Sequence, residues 1–317
     1  MTSLVTVFGG SGFLGRHAVR ALADAGYRIR VAVRRPNLAN YLLPMGQVGQ
    51  IQIVKANVLK PKDVAAAVSG ADAVVNLVGV QYSRGRQSFE NLHIKVAETI
   101  ATTAKAEGAK VLVHMSSMGV SPESPSAYAR SKATGEWRVR EAFPAATILR
   151  PSVVFGPEDE FFNRFATLAR YLPFLPLIGG GRTRFQPVFA GDVAAAVVKA
   201  VADPALTRGR TYELGGPSVY SFRELMEFVL KQTARKRRLI GVPFWLASLE
   251  ASWLQFLPNP PLTPDQVRLL KHDNVMSPGA LALCDLGIQP DSVEAIVPAY
   301  LWRFRPKGQY QALARGA

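Results

Sequence analysis

A tyrosine and a lysine four residues apart are the first residues in this sequence whose types and spacing could carry chemistry. Tyr128 and Lys132 lie on one face of a helical pattern, and Ser116 and Ser117 come shortly before them, at the end of an apolar segment. A phenol can donate or accept the proton of a carbonyl or alcohol, while an ammonium can lower the phenol's pKa and hold a nicotinamide ribose. A serine hydroxyl can polarise the substrate oxygen. These four residues predict hydride-transfer chemistry, although a Tyr-x-x-x-Lys pair on its own is common in helices.

A glycine-rich segment near the start of the chain predicts a nucleotide-binding turn. Gly9, Gly12 and Gly15 are spaced three apart, between a predicted strand and a predicted helix. Such a turn needs the conformational freedom of glycine, and it lets a pyrophosphate approach the backbone closely. The helix N-terminus adds N–H groups and a positive dipole for the phosphates. We therefore predict dinucleotide binding over a purely structural turn, with contacts from Gly9, Gly10, Ser11, Gly12, Phe13, Leu14, Gly15 and Arg16.

The end of the second predicted strand indicates which dinucleotide is bound. An acidic residue at this position accepts the ribose hydroxyls of NAD, but here the strand ends in Arg34 and Arg35. Two guanidiniums, with Arg16 in the same neighbourhood, suit the 2′-phosphate of NADP(H). The alternative is that Arg34 and Arg35 are solvated surface charges. The residues expected to frame the adenine and its ribose follow the third and fourth strands and are Asn57, Val58, Leu77, Val78 and Gly79.

Alternating strands and helices must position these residues. Apolar runs alternate with helical patterns over the first half of the chain, including one predicted helix from about Phe89 to Glu107. This alternation is typical of a mostly parallel sheet with helices on both faces. We predict an α/β fold, with a doubly wound parallel sheet of the Rossmann type and a smaller C-terminal lobe. The predicted sheet domain comprises residues 1–155, and residues 187–216 return to it. Residues 156–186 and 217–317 form the predicted smaller lobe.

The composition excludes several classes of function. Of the 317 residues 48% are apolar, which is enough for a sizeable core. A single cysteine, Cys284, rules out an internal disulfide framework, and no two of the four histidines have a metal-ligand spacing, so we expect no metal. The 38 Lys and Arg residues against 23 Asp and Glu give a net charge of +15, which indicates anionic surroundings. No nucleic-acid reader motif occurs, so we expect no nucleic acid partner.

Two basic and aromatic segments in the C-terminal part could contact an anionic membrane or a partner protein. The first joins Arg235–Arg238 to a segment, residues 239–257, that contains two tryptophans, and the second is Trp302–Arg305. The alternative is a solvated basic helix end followed by a buried aromatic helix. Because the sequence shows neither a signal peptide nor a transmembrane segment, we expect a cytoplasmic protein.

Several of these motifs together resemble the extended or atypical short-chain dehydrogenase/reductase superfamily, along nearly the whole chain. They are the Gly9–Gly15 turn, the Ser116/Ser117 pair, the Tyr128/Lys132 pair and the stretch Leu149–Gly156. The resemblance implies that Ser116, Tyr128 and Lys132 contact the cofactor. It also implies that Pro151, Ser152 and Val153 line the nicotinamide.

Further motifs are similar to one branch of that superfamily, the Rossmann-type accessory subunits of respiratory complex I, NADH:ubiquinone oxidoreductase, and their bacterial relatives. These motifs are Arg140–Pro144, Phe155–Asp159, Gln186–Phe189 and Leu262–Val267. The resemblance implies tightly bound, structural NADPH and core subunits of complex I as partners, near the junction of the peripheral and membrane arms. It further implies a peripheral position on the cytoplasmic face of a bacterial inner membrane.

Two departures from active extended members concern the substrate side. Ser117 and Tyr128 are only eleven positions apart, whereas epimerases and dehydratases place a longer segment between them, and the fourth strand ends in Asn76–Gly79 instead of an alanine-rich turn. The Tyr128/Lys132 pair still permits turnover. Two alternatives therefore stay open: an active NADP(H)-dependent reductase, dehydrogenase or sugar-nucleotide epimerase-like enzyme, and an NADP(H)-sensing regulator.

Overall fold

The structure is a computed structural model that describes residues 3–258 and 260–311. Its strands, in chain order, are β1 (Leu4–Phe8), β2 (Arg28–Val33), β3 (Ile51–Lys55), β4 (Ala73–Asn76), β5 (Val111–Met115), β6 (Thr147–Pro151), β7 (Val154–Phe155), β8 (Phe174–Ile178), β9 (Arg184–Phe185), β10 (Val188–Phe189), β11 (Thr211–Leu214), β12 (Tyr220–Ser221) and β13 (Arg238–Val242). Its α-helices are α1 (Phe13–Asp24), α2 (Pro61–Val68), α3 (Val96–Ala106), α4 (Ala127–Ala142), α5 (Phe162–Tyr171), α6 (Ala190–Ala202), α7 (Pro204–Thr207), α8 (Phe222–Gln232), α9 (Phe244–Leu254), α10 (Pro264–Leu269), α11 (Val293–Ile296) and α12 (Pro298–Leu301). None of the helices among the described residues is both long and apolar enough to cross a membrane.

A seven-stranded parallel sheet forms the centre of the first of two compact units. This unit comprises residues up to 151, 190–214 and 277–289, and its strand order is β11-β6-β5-β4-β1-β2-β3. The chain winds from β1 to β3 in one direction and from β4 to β6 in the other, so the winding reverses between β1 and β4. The prediction of a doubly wound parallel sheet is confirmed. Ligands of such sheets bind outside the carboxyl ends of the strands at this reversal.

Local sequence signals and one close backbone contact set the helices that flank the site. The Ser126 hydroxyl accepts a hydrogen bond from the Ala129 N–H, so α4 begins at Ala127. The single helix predicted from Phe89 to Glu107 instead starts as a π-helix, Glu90–Lys95, and continues as α3. This π-helix presses on α4, because a Cβ atom on Gly135 would lie 2.0 Å from the His93 carbonyl oxygen.

The unit boundaries differ from the predicted domains at several points. Residues 277–289 return to the first unit, because the Leu281 carbonyl accepts a 2.8 Å hydrogen bond from the Glu213 N–H and the Glu213 carboxylate accepts a 2.7 Å bond from the Ser277 N–H. Residues 152–155 and 187–189 belong to the second unit, where β7 and β10 pair in parallel. These pairings join residues far apart in sequence, so no local pattern marks them.

The second unit comprises residues 152–189, 215–276 and 290 onward. It contains three two-stranded pairs, β7 with β10, β9 with β12 and β8 with β13. Its core is rich in phenylalanine. The rings of Phe155 and Phe162, for example, make an edge-to-face contact with centroids 5.9 Å apart. Beside them the Tyr300 hydroxyl donates a 2.5 Å hydrogen bond to Asp159, and burial raises the pKa of both groups.

The C-terminal segment Trp302–Arg305 makes internal contacts within the second unit. Arg303 donates a 2.6 Å hydrogen bond to the Asn163 side chain, Arg305 donates a 2.8 Å bond to the Gln232 carbonyl, and Phe304 packs against the core. Trp302 and Arg303 are nevertheless exposed, so the expected contact of this segment with a membrane or a partner protein stays a prediction.

Candidate functional site

The glycine-rich turn between β1 and α1 has the geometry of a phosphate cradle. Gly9 adopts a φ of +79°, and its carbonyl accepts a 3.0 Å hydrogen bond from the Gly12 N–H. A Cβ atom on Gly15 would lie 2.1 Å from that same carbonyl oxygen. Gly12 caps α1 without a side chain, and the first turn of the helix contains no acidic residue. The helix N-terminus therefore presents backbone N–H groups and an uncompensated positive dipole to an anion.

The turn after β4 lies beside this cradle and links it to Lys132. The Leu77 N–H donates a 3.0 Å hydrogen bond to the Phe8 carbonyl, and a Cβ atom on Gly9 would lie 3.0 Å from the Leu77 carbonyl. Two residues further on, a Cβ atom on Gly79 would lie 3.3 Å from the Lys132 ammonium. The sequence-predicted residues Leu77, Val78 and Gly79 are thus brought together with the glycine turn.

The turn after β3 is held by Asn57. Its N–H donates a 2.9 Å hydrogen bond to the Asp63 carboxylate, and its side-chain oxygen accepts a 3.1 Å bond from the Leu59 N–H. Val58, the next residue, is half-buried and packs against the core. These contacts order the turn, and the expected contact of Asn57 and Val58 with an adenine stays a prediction.

Exposed cations border the cradle at the end of β2. Arg34 and Arg35 follow the last residue of that strand and are both exposed. Tyr41, which the sequence did not single out, donates a 2.7 Å hydrogen bond to the Ser11 carbonyl, and its ring lies 5.1 Å from the Arg16 guanidinium. An aromatic residue in the loop between β2 and β3 is the only signal that could have indicated it. Tyr41 thereby ties this loop to the glycine turn.

Tyr128, Lys132 and the two serines come together at the carboxyl end of β5. The Tyr128 hydroxyl hydrogen-bonds the Ser117 side chain, and the Lys132 ammonium donates a 3.0 Å bond to the Met115 carbonyl. Burial lowers the pKa of Lys132 to about 8, an effect that Glu136 opposes. Four residues that lie at different points of the chain thus meet at one strand end.

Aromatic side chains surround the Tyr128 ring. The rings of Phe89 and His93 stack with centroids 5.2 Å apart, and both meet the Tyr128 ring edge-on, at 5.8 Å and 5.3 Å. The two nitrogens of His93 are held by the Val80 N–H at 3.1 Å and the Ser131 hydroxyl at 2.9 Å. Burial and the Lys132 charge lower the pKa of His93 to about 3. Sequence reasoning did not single out His93, and a Phe-x-x-x-His pair was its only signal.

A second buried histidine lies on β5 beneath the serines. The Asn76 side chain bonds His114 Nδ1 at 3.2 Å, and burial lowers the pKa of His114 to about 3. Within the described part of the chain, His114 Nε2 and Ser116 Oγ are buried without a hydrogen-bond partner. Because His114 and Ser116 are two apart on a strand, they point to the same face. Unpaired buried polar atoms at this strand end suit a ligand that brings polar groups of its own.

The stretch after β6 divides between the units. Pro151 ends β6 in the first unit, and its carbonyl accepts a 2.9 Å hydrogen bond from the Met118 N–H. In the second unit the Asn274 side chain accepts bonds from the Ser152 hydroxyl at 2.6 Å and the Val153 N–H at 3.2 Å. The expected contact of Pro151, Ser152 and Val153 with a nicotinamide stays a prediction.

Comparisons with known proteins identify the family. A model described as the NAD dependent epimerase/dehydratase family matches residues 5–215, which include the glycine turn, the β4 turn and the Tyr128/Lys132 pair. The chain belongs to the NAD-dependent epimerase/dehydratase family. The expected resemblance to extended short-chain dehydrogenases/reductases is confirmed. The residues of the glycine turn fit the pyrophosphate of a nicotinamide dinucleotide.

Two relatives are similar in sequence to this chain over most of their length. NADH dehydrogenase (ubiquinone) 1 alpha subcomplex subunit 9 of Arabidopsis thaliana, a mitochondrial protein, is 36% identical over 316 residues, or 96% of this chain and 79% of the relative. A ceramide reductase of Caulobacter vibrioides is 31% identical over 240 residues, or 76% of this chain and 74% of the relative. The expected resemblance to complex I accessory subunits is confirmed.

A solved structure shares the fold of this family member. The NADPH-dependent quinone oxidoreductase QOR2 of Escherichia coli, solved with NADPH, superimposes with a TM-score of 0.75. The alignment covers 94% of this chain and 99% of the other, at 19% sequence identity. At this identity the match establishes the fold and no more.

In the polar cluster, burial and the Ser117 hydroxyl set the protonation state of Tyr128. Burial raises the pKa of Tyr128 above its ordinary value, while the hydrogen bond to Ser117 opposes the shift. The Lys132 ammonium is directed to the Met115 carbonyl, and its expected effect on the phenol's pKa stays a prediction. A phenol that stays protonated at neutral pH can donate its proton to a substrate oxygen, with Ser117 as the neighbouring hydroxyl.

Proposed function

We propose that this chain is an NADP(H)-binding accessory subunit of respiratory complex I, in which the nucleotide stabilises the fold. The similarity to a complex I subunit over 96% of the chain carries the proposal. The preserved glycine cradle supports the bound nucleotide, because Gly9 and Gly15 leave no room for a side chain. The same similarity favours an accessory subunit over an NADP(H)-sensing regulator.

The partners and location follow from this proposal. We expect the chain to bind core subunits near the junction of the peripheral and membrane arms, on the cytoplasmic face of a bacterial inner membrane. The net charge of +15 supports a place beside an anionic membrane.

Co-purification tests the proposed function directly. The full-length chain carries a tag for its detection in its native cells, and complex I is isolated through a core subunit. The nucleotide that denaturation releases from the isolated complex is then identified. The proposal expects the chain in the isolated complex with NADP(H) in amounts close to one per chain. A chain that remains outside complex I in intact cells would contradict it.

The preference for NADP(H) over NAD(H) is proposed to come from Arg34 and Arg35. Replacement of both arginines by glutamine removes charge-assisted hydrogen bonds to the 2′-phosphate, which are worth about 1.5–3 kcal/mol each. We therefore expect the Kd for NADPH to rise at least tenfold while the Kd for NADH changes little, as measured by isothermal titration calorimetry. Arg28→Gln, at the exposed start of the same strand, is the matched control and leaves both constants unchanged. Equal losses for both nucleotides would show that the arginines do not recognise the 2′-phosphate.

A second candidate function is reduction of a lipid carbonyl. The ceramide reductase relative and the hydrogen bond between Tyr128 and Ser117 favour it. When bound, NADPH supplies a hydride to the carbonyl carbon. Tyr128 donates the proton that the carbonyl oxygen takes up, Ser117 orients that oxygen, and Lys132 holds the neighbouring backbone. The carbonyl is reduced to an alcohol as NADPH is oxidised.

Tyr128→Phe separates the two functions. For a reductase we expect the substitution to lower the rate of NADPH oxidation with a long-chain ketone about 100-fold or more, the loss typical of a missing general acid. Tyr171→Phe, at an exposed tyrosine of the second unit, is the control for the change itself. An accessory role without turnover predicts that Tyr128→Phe leaves co-purification with complex I unchanged and that no ketone raises NADPH oxidation above background.

A further inference from the structure

Helix α9 carries an uncovered apolar face. Trp245, Leu249 and Trp253 are four residues apart, so they lie along one side of the helix. Their exposed fractions are 69%, 55% and 77%. The opposite side consists of small residues, since Ala247 and Ala251 are buried against α10 and its neighbours. The helix therefore packs through its alanines and leaves its largest apolar side chains in contact with solvent.

A basic groove lies in the same unit, along the β8–β13 pair. The groove has a volume of about 850 Å³, and its cations are the four consecutive residues Arg235–Arg238. Its apolar lining includes Phe174 and Ile240, which are 39% and 44% exposed. The groove thus combines four cations with an apolar lining.

Backbone carbonyls hold two of these guanidiniums in place. Arg235 donates from Nε to the Phe304 carbonyl at 3.0 Å, and Arg237 donates from Nε to the Ala169 carbonyl at 2.9 Å. Each bond uses one of the five N–H groups of a guanidinium and leaves its terminal nitrogens for other acceptors. The cations are therefore oriented by neutral groups, which do not reduce their charge.

No carboxylate balances the charge of the groove among residues 3–258 and 260–311. None of the four cations forms an ion pair within that part of the chain. Burial, together with the nearby charges of Arg237 and Arg170, lowers the pKa of Arg235. An anion in the groove would relieve this repulsion.

A turn with a strained backbone connects α8 to Arg235–Arg238. After α8, the N–H of Arg235 bonds the Leu230 carbonyl at 3.0 Å and the N–H of Ala234 bonds the Lys231 carbonyl at 3.2 Å, which is the Schellman pattern. Ala234 has a φ of +52°, a left-handed conformation that usually requires glycine. The chain therefore maintains this turn at a conformational cost, and the turn sets the direction in which Arg235–Arg238 leave the helix.

The groove and the helix face are continuous in the chain. β13 ends at Val242 and α9 begins at Phe244, and residues 239–257 contain a single charged side chain, Glu250. Tryptophan and leucine on one exposed helix face, close in sequence to arginine and lysine, are typical of helices that lie in a membrane interface. The eleven residues of α9 extend about 16 Å, so the helix fits along the interface and is too short to span the hydrocarbon layer.

We infer that the outer face of α9 and the Arg235–Arg238 groove form one docking surface for an anionic phospholipid bilayer. The tryptophans enter the headgroup region, and a lipid phosphate binds the terminal nitrogens of the groove arginines with its acyl chains along Phe174 and Ile240. This inference rests on the proposed position of the protein beside a membrane. It adds which surface binds the lipid and which lipid charge the surface selects.

Vesicle co-sedimentation of the purified full-length chain tests the inference. We expect binding to vesicles of phosphatidylcholine with phosphatidylglycerol and little binding to phosphatidylcholine alone. Lys236→Gln with Arg238→Gln removes two charges and keeps the Nε bonds of Arg235 and Arg237, and should weaken binding about 25-fold, or roughly fivefold per charge. Lys105→Gln with Lys110→Gln removes two exposed charges from the first unit and is the matched control.

A second variant tests the apolar face without changing the charge. Trp245→Ser with Trp253→Ser should weaken vesicle binding at least tenfold, and the blue shift of tryptophan emission that accompanies binding should be lost. Because both side chains are exposed, the variant is expected to unfold at the same temperature as the unchanged chain.

Several outcomes would overturn the inference. They are equal binding to neutral vesicles, equal weakening by the control variant, complete competition by inorganic phosphate at millimolar concentration, and a tryptophan variant that alters only self-association in sedimentation velocity. Co-purification with complex I separates this inference from the proposed function. Vesicle binding by a chain absent from complex I would reject only the function, whereas a chain found in complex I with no affinity for anionic vesicles would reject only the inference.

Discussion

Replacement of Gly15 by alanine is expected to destabilise the first unit by about 3 kcal/mol and to abolish retention of NADP(H). The added Cβ atom would lie 2.1 Å from the Gly9 carbonyl oxygen and 2.6 Å from the Gly10 backbone. Both neighbours are main-chain atoms of the same turn, so relief requires that α1 or the turn move. Overpacking of this kind typically costs 1–3 kcal/mol, and the fixed backbone places this site at the upper end of that range. Urea unfolding with and without NADPH measures both effects.

Two other glycines serve as controls for this experiment. A Cβ atom on Gly12 would meet only the Gly9 carbonyl, at 3.3 Å, so Gly12→Ala should leave the nucleotide-free protein nearly as stable as the original. The same methyl group would stand where a pyrophosphate approaches the backbone, so the stabilisation by NADPH, about 2.7 kcal/mol at 100 times Kd, should disappear. Gly241→Ala, whose Cβ would lie 3.8 Å from the nearest atom, should change neither quantity. A Gly15→Ala protein with unchanged stability would refute the close-packed cradle.

The parts of the fold that could be predicted are those set by neighbours in sequence. The helical pattern around Tyr128 and Lys132 predicts α4 because its period and its Ser126 cap are local, and the glycine turn carries its own spacing signal. The π-helix at Glu90–Lys95 could not be predicted, since it depends on the contact of the His93 carbonyl with Gly135. The contact between Ser152 and Asn274 spans 122 positions, so no window of sequence contains it.

The environment of α9 illustrates a different reason why sequence patterns leave alternatives open. Its sequence is apolar around almost the whole helix, so periodicity does not say which side faces inward. The buried side consists of Ala247 and Ala251, because small residues allow close packing against α10. The exposed side consists of tryptophans that a size-based expectation would have placed in the core. Only the packing of the surrounding elements decides which side of α9 is buried and which is exposed.

The stability of the first unit is expected to fall steeply as the pH drops from 6.5 to 3. Burial lowers the pKa of His93 and of His114 from 6.5 to about 3 each, so both imidazoles are neutral in the folded protein. Between these values the unfolded chain binds more protons than the folded one, and the free energy of unfolding therefore decreases as the pH falls. A shift of this size corresponds to on the order of 5 kcal/mol per histidine once the pH is below 3.

Lys132 should produce a separate change in the alkaline range. Its pKa of about 8 in the folded protein lies below the ordinary 10.5, so the free energy of unfolding should rise as the pH increases from 8 to 10.5. Urea unfolding across pH 3 to 10.5 should therefore show two rising segments with a flat region between them. His114→Gln should reduce the slope of the acid segment by about half and leave the alkaline one in place. Lys132→Met should remove the alkaline segment and narrow the acid one, because the Lys132 charge contributes to the lowered pKa of both histidines. His272→Gln, at an exposed histidine, is the control and should change neither segment. An acid segment that keeps its full slope in His114→Gln would mean that this imidazole takes up protons in the folded protein as readily as in the unfolded chain.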